Sequence, residues 1–272
     1  MDMIFFDLDG TLLNAQSEIS PFTRETLGLL KKNNIAYTVA TGRSMLSAKN
    51  IIAGHDFHLP HIYNNGVTVW DPSNDSLSFE NLLTTDEIKV ITHAAMTRGI
   101  TPFVNTVDKH QHVIFHSEPK HQVEKDLIAK HFNRTDASLL AIETLPAHSS
   151  VTNISMIGQS EDITEIWNEL NRHEHLIAYS GPAHEGGNYR WMDVHHCLAN
   201  KGSAVEALTK QFEASNIICF GDSDNDMSMF ELANEAYAPA NAKAPIKEKA
   251  NAIIGHHDED GIAKFLRERF SL

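Results

Sequence analysis

The chain has 272 residues, of which 42% are hydrophobic and 21% charged, so it can bury a sizeable core, and its length slightly favours two domains. Its formal net charge of -14 at pH 7 argues against a nucleic-acid or anionic-membrane surface, because either would need a basic patch. No apolar run approaches the roughly 20 residues of a spanning helix, no basic segment typical of a secretory signal begins the chain, and the two cysteines predict a reduced, cytoplasmic protein without disulfides.

Three short apolar runs predict strands of one parallel sheet. They cover residues 4–6, 35–40 and 216–220, and each is nearly continuous, which is typical of a strand covered on both faces. Helices are predicted between them. One begins at Ser20-Pro21, a typical N-cap and first helical position, and another follows Arg43. This order predicts a doubly wound α/β fold, in which ligands bind beyond the carboxyl ends of the strands.

The middle of the chain predicts a different arrangement. From about residue 83 the expected order is a helix (85–98), two strands (100–107, 110–116), a helix (about 118–131), a strand (151–157), a helix (162–171) and two strands (176–179, 189–194). Strands that arrive in pairs predict a mostly antiparallel α+β unit inserted into the α/β domain. Glycines at 181, 186 and 187 would make the loop that returns to the α/β domain easy to bend. We therefore expect a discontinuous core of residues 1–82 and 187–272, with an inserted domain at 83–186.

Polar residues follow each apolar run of the predicted parallel sheet. Asp7 and Asp9 follow the first run, Thr41 follows the second, and GDSDND (221–226) follows the third. Because the carboxyl ends of parallel strands meet at one edge, we expect these residues to lie together, with Lys201 as a further candidate. Buried carboxylates are costly by themselves. A Mg²⁺ site would account for them, since Mg²⁺ takes one or two carboxylates and keeps water and phosphate as further ligands.

These residue types indicate phosphoryl chemistry. An ionised Asp7 beside a metal-held phosphate could attack phosphorus or act as a base toward water. Asp9 could donate a proton to the leaving alcohol and then take one from the hydrolytic water. Lys201 would neutralise phosphate charge, and the Thr41 hydroxyl with nearby backbone N–H groups would bind the phosphate oxygens. Taken singly, Lys201 is typical of a surface lysine at a helix start, and Arg43 of a residue that pairs with an acidic neighbour.

Four segments, in this order, resemble the motifs of the haloacid dehalogenase (HAD) superfamily of phosphohydrolases: DLDGT (7–11), ATGR (40–43), NKGSAVEAL (200–208) and GDSDNDMSMF (221–230). The resemblance implies that Asp7 is the nucleophile and Asp9 the acid/base. It implies a substrate phosphate site formed by Thr41, Gly42, Lys201 and Asn225. It also implies Mg²⁺ as the cofactor, at a metal site formed by Asp7, Asp9 through its main-chain carbonyl, Asp222, and Asp226 as a supporting carboxylate.

The insert between the second and third motifs resembles that of the type IIB, Cof-like branch of the superfamily. YNNG (63–66) and the stretch APANAKAPIKEKA (238–250) are similar to that branch as well. The resemblance implies a HAD-like core with an inserted α+β cap of the C2B type, which closes over the site and selects the leaving group. It further implies a small phosphorylated metabolite as substrate, such as a sugar phosphate or pyridoxal phosphate.

Three functions can be built on this chemistry. The first is a Mg²⁺-dependent phosphatase that works through an aspartyl-phosphate at Asp7. The second is a phosphosugar mutase or phosphotransferase, in which the phosphoryl group passes to a sugar hydroxyl. The third is a phospho-accepting switch without turnover, against which Asp9 argues because an acid/base would speed loss of the phosphoryl group.

Two other features receive no catalytic role from the sequence. Asn65-Gly66 predicts a hairpin turn. The chain has 17 histidines but no HExxH or Cys-His spacing, so we interpret most of them as surface or structural residues rather than zinc ligands.

Overall fold

The computed structural model describes residues 1–130, 132, 137–183 and 186–272. The strands of these residues are, in chain order, β1 (Asp2–Phe6), β2 (Ala36–Val39), β3 (His61–Tyr63), β4 (Thr68–Asp71), β5 (Ser76–Phe79), β6 (Phe103–Val107), β7 (His112–His116), β8 (Ala137–Ala141), β9 (Val151–Gln159), β10 (Leu176–Pro182), β11 (Tyr189–His196), β12 (Asn216–Phe220), β13 (Glu235–Pro239) and β14 (Ala252–Ile254).

The helices of the described residues are α1 (Pro21–Lys32), α2 (Met45–Ile52), α3 (Thr85–Thr97), α4 (Gln122–Lys130), α5 (Ser160–Leu170), α6 (Lys201–Gln211), α7 (Met227–Leu232), α8 (Ala244–Lys249) and α9 (Gly261–Phe270). The predicted start of α1 is confirmed, because the Ser20 side chain accepts a hydrogen bond from the Thr23 N–H at 3.0 Å and Pro21 is the first helical residue. Among these described helices, none has both the length and the apolar character that crossing a membrane requires.

Met1–Glu80 and Asn200–Leu272 form one compact unit around a parallel sheet in the order β14-β13-β12-β1-β2. The central strand β1 is buried on both faces. Ile4 and Phe6 belong to one apolar cluster, whereas Met3 and Phe5 belong to another. A strand covered on both faces needs an apolar residue at every position, which explains the continuous run. The predicted doubly wound α/β core is confirmed.

A small antiparallel sheet, β3-β4-β5, lies in the same unit. The turn Asn64–Gly66 is followed by β4, which pairs back onto β3, as the Asn65-Gly66 pair predicts. The isolated bridge between Ala40 and Ile62 is parallel, and it connects β3 to the segment that follows β2. The turn is thereby held close to the segment that carries Thr41.

Asn81–Ala199 form the second unit, whose sheet has the order β10-β11-β9-β6-β7-β8. The described neighbours pair antiparallel except β7 with β8, which agrees with the mostly antiparallel unit predicted from the sequence. Helices α3 and α5 contribute Ile91 and Ile166 to the apolar cluster that contains Val104 and Ile154 of the sheet. The sequence pattern did not predict strand β8. The predicted helix at about 118–131 corresponds to α4, and its last residue, His131, lies outside the described residues.

The observed limits of this unit differ from the predicted insert of residues 83–186. The second limit falls between Ala199 and Asn200 rather than between residues 186 and 187. Strand β11 pairs along its length with both β10 and β9, so its hydrogen bonds place it in the second unit. The glycines near position 186 form part of the connection between β10 and β11 and do not mark the return to the first unit.

Two of the buried histidines contribute hydrogen bonds within the fold. In the second unit, His195 Nε2 lies 3.0 Å from Asp193 Oδ2. In the first unit, His61 Nδ1 lies 3.0 Å from the Tyr63 hydroxyl, and burial lowers the pKa of His61 to about 4, so this ring stays neutral at pH 7. Both residues agree with a structural interpretation.

Candidate active site

Asp7 lies at the carboxyl end of β1 and is buried. Its backbone N–H donates to the carbonyl of Phe220, at the end of the neighbouring strand β12, at 2.9 Å. A single wide helical turn, Leu8–Leu12, follows immediately, with non-helical backbone at Asp9 and Gly10. The chain therefore turns away as soon as the strand ends, and the carboxylate of Asp7 remains at this edge of the sheet.

Lys201 is fully buried, although it is the first residue of helix α6. Its Nζ lies 2.5 Å from Asp7 Oδ1 and 2.6 Å from Asp226 Oδ1. A cation at a helix N-terminus is opposed by the helix dipole, so these two carboxylates must offset both that effect and the loss of hydration. Burial opposes the charged form, but Asp226 and Asp7 raise the pKa of Lys201 above its usual value. Lys201 is therefore a charged bridge at pH 7 between the end of β1 and the loop after β12, not the surface lysine that its position alone indicates.

Asp226 is fully buried and organises the loop that follows β12. Its Oδ1 accepts from Lys201, while its Oδ2 accepts the backbone N–H groups of Asp222 at 2.8 Å and Ser223 at 2.9 Å. Gly221 is required here, because a Cβ at this position would lie 2.5 Å from the Cβ of Asp226. Both oxygens of Asp226 are thus already engaged, and the residue fixes the position of Asp222.

The carboxylates of Asp7, Asp222 and Asp226 could hold a metal ion. Each offers one oxygen, and the three oxygens lie within 4.8 Å of one another. Burial raises the pKa of Asp7 well above its ordinary range, although Lys201 opposes this rise. Burial and the charge of Asp226 raise the pKa of Asp222 to about 6. Clustered carboxylates with oxygen ligands only are the donor set that suits Mg²⁺, and a divalent cation would counter their mutual repulsion. Asp7 and Asp222 fit direct binding, with Asp226 in support.

Asp9 has a different environment from Asp7. Its two carboxylate oxygens accept from Arg43, with Nε to Oδ2 at 2.7 Å and Nη2 to Oδ1 at 2.5 Å, and its side chain is 55% exposed. The hydrogen bond to Asp9 raises the pKa of Arg43. This is the acidic partner that the sequence indicates for Arg43. The two carboxylates of the DLD sequence are therefore separated, one in the buried cluster and one in a bidentate ion pair.

Apart from Lys201 on α6, the residues predicted to bind phosphate lie on two loops that a third loop connects. Thr41 is buried, and its hydroxyl oxygen accepts the backbone N–H of Arg43 at 3.1 Å. Asn225 donates from Nδ2 to Oδ1 of Asn65 at 2.9 Å, and a Cβ on Gly42 would lie 3.1 Å from the same oxygen. Asn65 thus joins the loops after β2 and β12. The only signal for it in the sequence is the turn-forming Asn-Asn-Gly, which carries no information about a partner 160 positions away.

The segment after β13 supports both carboxylate-bearing loops. Asn241 Nδ2 donates to the carbonyl of Gly10 at 2.7 Å, and the backbone N–H of Lys243 donates to the carbonyl of Asp222 at 2.9 Å. Thr11 donates from its hydroxyl to Asp222 Oδ1 at 3.3 Å. The sequence singles out residues 238–250 by resemblance but assigns no role to Asn241, whose contact depends on the tertiary fold.

The family model for haloacid dehalogenase-like hydrolases matches residues 4–266, which is nearly the whole chain. The chain belongs to this family. The match includes both strand ends and the loops that carry Asp7, Lys201 and Asp222, so the family assignment and the geometry concern the same residues. This confirms the predicted superfamily.

Two relatives that this HAD-like hydrolase matches over nearly their whole length are phosphatases. A 5-amino-6-(5-phospho-D-ribitylamino)uracil phosphatase of Bacillus subtilis is 28% identical, with 100% of this chain and 99% of the relative covered. A pyridoxal phosphate phosphatase of Escherichia coli is 26% identical, with 97% of each covered. The structure of a HAD subclass IIB sugar phosphatase has the same fold, with a TM-score of 0.78 at 20% identity and coverage of 100% of this chain and 99% of that one. The predicted enzyme class, a HAD-type phosphatase, is confirmed, and the fold agrees with that of the subclass IIB structure.

Proposed function

We propose that this HAD-like hydrolase is a Mg²⁺-dependent phosphatase that cleaves small phosphomonoesters through an aspartyl-phosphate at Asp7. The observation that carries the proposal is the buried bridge from Lys201 to Asp7 and Asp226, with Asp222 beside it. A packed core does not need this arrangement, since buried ion pairs contribute little net stability. A nucleophilic carboxylate that must meet an anionic substrate does need a fixed cation next to it.

In the first half-reaction, an oxygen of Asp7 attacks phosphorus, and the bond between phosphorus and the alcohol oxygen breaks. Asp9, in its protonated form, donates the proton that the leaving alcohol needs. Because both oxygens of Asp9 are engaged by Arg43, the ion pair has to open for this step. The leaving alcohol departs neutral, and Asp9 is left as a carboxylate.

In the second half-reaction, Asp9 takes a proton from water, and the water oxygen attacks phosphorus. The bond between Asp7 and phosphorus breaks, and both Asp7 and the protonated Asp9 return to their starting forms. Lys201 remains charged throughout and neutralises the phosphoryl oxygens. Thr41, Gly42 through its backbone N–H, and Asn225 would bind the same oxygens as neutral donors.

The residues that would hold Mg²⁺ are Asp7, Asp222 and the main-chain carbonyl of Asp9, with Asp226 as the supporting carboxylate. When bound, the ion would act as a Lewis acid that polarises a phosphoryl oxygen. It would also reduce the electrostatic repulsion between that oxygen and the Asp7 carboxylate. Asp226 contributes by holding Asp222 and Lys201 in place through hydrogen bonds to both.

The substrate class follows from the chemistry of the site and from the relatives. The first unit offers groups that recognise phosphate, while the two curated relatives act on a ribitylamino-uracil phosphate and on pyridoxal phosphate. We propose a small phosphorylated metabolite of this kind, a sugar phosphate or pyridoxal phosphate included. We also propose that Asn81–Ala199 is the cap domain, the part of the chain that would select the leaving group.

The decisive experiment compares the wild-type protein with Asp7→Asn on a panel of phosphomonoesters in the presence of Mg²⁺. We expect free phosphate from the wild type only, and transient ³²P on the wild-type protein that Asp7→Asn cannot acquire. Substantial turnover by Asp7→Asn would show that the nucleophile is misassigned. Conversion of hexose 1-phosphate to 6-phosphate without free phosphate would favour the mutase instead, and a phosphoprotein that lasts for hours would favour the switch.

A further inference from the structure

Two consecutive buried residues, Asn64 and Asn65, have left-handed backbone conformations, with φ of 48° and 55°. Non-glycine residues are strained in this region, and such strain concentrates at functional sites. The next residue, Gly66, also has a positive φ, at 101°. Asparagine is one of the few non-glycine residues that adopt this conformation regularly, so the contacts of each amide decide what the side chain contributes.

Asn64 is explained by its local contacts. Its Oδ1 accepts from the hydroxyl of Thr68 at 3.1 Å, and its backbone N–H donates to the carbonyl of Arg43 at 2.9 Å. The contact with Thr68 closes the hairpin itself, and the contact with Arg43 holds the hairpin turn against the loop that follows β2. The side chain of Asn64 therefore has a structural role within the β3-β4 hairpin.

Asn65 contacts residues that are far apart in the sequence. Its backbone N–H donates to the carbonyl of Thr41 at 3.0 Å, and its Oδ1 accepts from Nδ2 of Asn225 at 2.9 Å. The same Oδ1 also lies close to Gly42, because a Cβ added at Gly42 would be 3.1 Å from this oxygen. Asn65 thus connects both groups of proposed phosphate donors, the Thr41-Gly42 loop and Asn225.

We propose that Asn65 is a positioning residue for substrate phosphate, and that it acts through Asn225. The inference rests on the proposed function, in which Asn225 binds the phosphate. A side-chain amide has two N–H donors, and the bond to Asn65 uses one of them and fixes the plane of the Asn225 amide. The other donor is then held in one orientation. Without Asn65, the Asn225 amide would have to be ordered at each binding event, at an entropic cost.

Asn65→Gly tests this proposal, because it removes the amide while relieving the backbone strain. The matched control is Asn34→Gly, since exposed Asn34 has the same φ of 55° in the turn after α1. Asn34→Gly should keep or raise the melting temperature, whereas Asn65→Gly should lower it slightly, because it also removes the partly buried hydrogen bond to Asn225. Only Asn65→Gly should weaken binding of inorganic phosphate to the Mg²⁺-loaded protein, by up to about 10-fold, which is the scale of the entropic cost of ordering one side chain. Isothermal titration calorimetry measures that affinity directly.

The double variant Asn65→Gly/Asn225→Ala shows whether Asn65 acts through Asn225. If it does, Asn65→Gly costs little further affinity once Asn225 is truncated, so the two losses are non-additive. Additive losses would overturn the proposed route, and an unchanged phosphate affinity in Asn65→Gly would overturn the role itself. If the wild-type protein binds phosphate but hydrolyses no phosphomonoester, the proposed function is contradicted. In that case the phosphate affinities of the variants would still test the role of Asn65.

Discussion

Lys201 Nζ and Asp7 Oδ1 lie 2.5 Å apart, and the two side chains are 0% and 8% exposed. Lys201 also contacts the fully buried Asp226, so one cation serves two carboxylates from different strand ends. Removing the cation leaves both carboxylates desolvated and unpaired. The pair therefore links the stability of the fold to the chemistry that we propose for it.

Lys201→Met should lower the free energy of unfolding by about 3 to 5 kcal/mol, the usual range for breaking a buried ion pair, and should abolish phosphatase activity. The matched control is Lys210→Met, which removes an exposed lysine and its i,i+4 contact with Glu206 from the same helix. Urea denaturation measures both variants. Because the lost charge acts on Asp7, adding Asp7→Asn to Lys201→Met should restore part of the stability, and a strictly additive pair would contradict this coupling.

Asp9→Asn should reduce turnover by at least about 100-fold, the lower range for loss of a general acid/base. The melting temperature should change little, since the Asp9 side chain is 55% exposed. Rapid-quench kinetics should show that both formation and hydrolysis of the phosphoenzyme are slow. A variant that slows only one half-reaction, or neither, would rule out a shared role for Asp9 in both steps.

Mg²⁺ should raise the melting temperature of the wild type, and EDTA should reverse the effect. At 100 times the dissociation constant, binding to the folded state contributes about 2.7 kcal/mol. Asp222→Asn should lose this Mg²⁺-dependent shift. Its metal-free melting temperature should exceed that of the wild type, because burial and Asp226 already oppose the charge of Asp222. Differential scanning fluorimetry of the wild type and Asp222→Asn, each with and without Mg²⁺, measures these four melting temperatures.

Gly10→Ala should disable the site through a single methyl group. Gly10 has φ of 71°, and a Cβ there would lie 2.7 Å from Asp222 Oδ2. Gly54→Ala is the matched control, because Gly54 has φ of 76° with nothing within 4 Å of the added Cβ. Each variant should lose roughly 1–2 kcal/mol to the left-handed backbone. Only Gly10→Ala should also lose the Mg²⁺-dependent stabilisation, and equal Mg²⁺ responses would show that Asp222 adjusts freely.

The environment of Glu235 predicts that part of the free energy of unfolding is lost at low pH. Hydrogen bonds from Arg269, Tyr237 and Asn216 lower the pKa of Glu235 from 4.5 to about 2. A depressed carboxyl pKa adds stability that is complete above the unfolded value and is lost as pH falls from 4.5 toward 2. Between pH 5 and 3 the wild type should therefore lose about 1 to 2 kcal/mol more than Glu235→Gln, after allowance for partial solvation.

Glu25→Gln is the control for this pH dependence. Glu25 also pairs with an arginine of α9, Arg267, at 2.8 Å, but its side chain is 67% exposed. Its removal should leave the pH profile of the unfolding free energy close to that of the wild type. Parallel profiles for the wild type and Glu235→Gln would show that the Arg269 pair does not contribute in this way.

The strands β1, β2 and β12 and the meeting of their polar ends could be predicted from the sequence, because burial on both faces leaves a local pattern. Strand β14 could not, since Ala252–Ile254 is too short for a pattern to stand out. The return limit at Ala199 was also missed, because strand pairing rather than glycine content decides where β11 belongs. At the site, residue types indicated Asp7 and Lys201. That Asp9 is the partner of Arg43, and that Asn225 is the partner of Asn65, depends on tertiary contacts that no local pattern carries.

The pairing of β1 with β12 sets the order of events during synthesis. Asp2 lies opposite Asn216, 214 positions later. At about 5 to 20 residues per second, the ribosome completes that interval in about 10 to 40 s. Throughout this time the apolar β1 has no partner on that side, whereas Asn81–Ala199 has already emerged with an apolar cluster of its own. The inserted unit is thus available to fold before β1 can pair with β12.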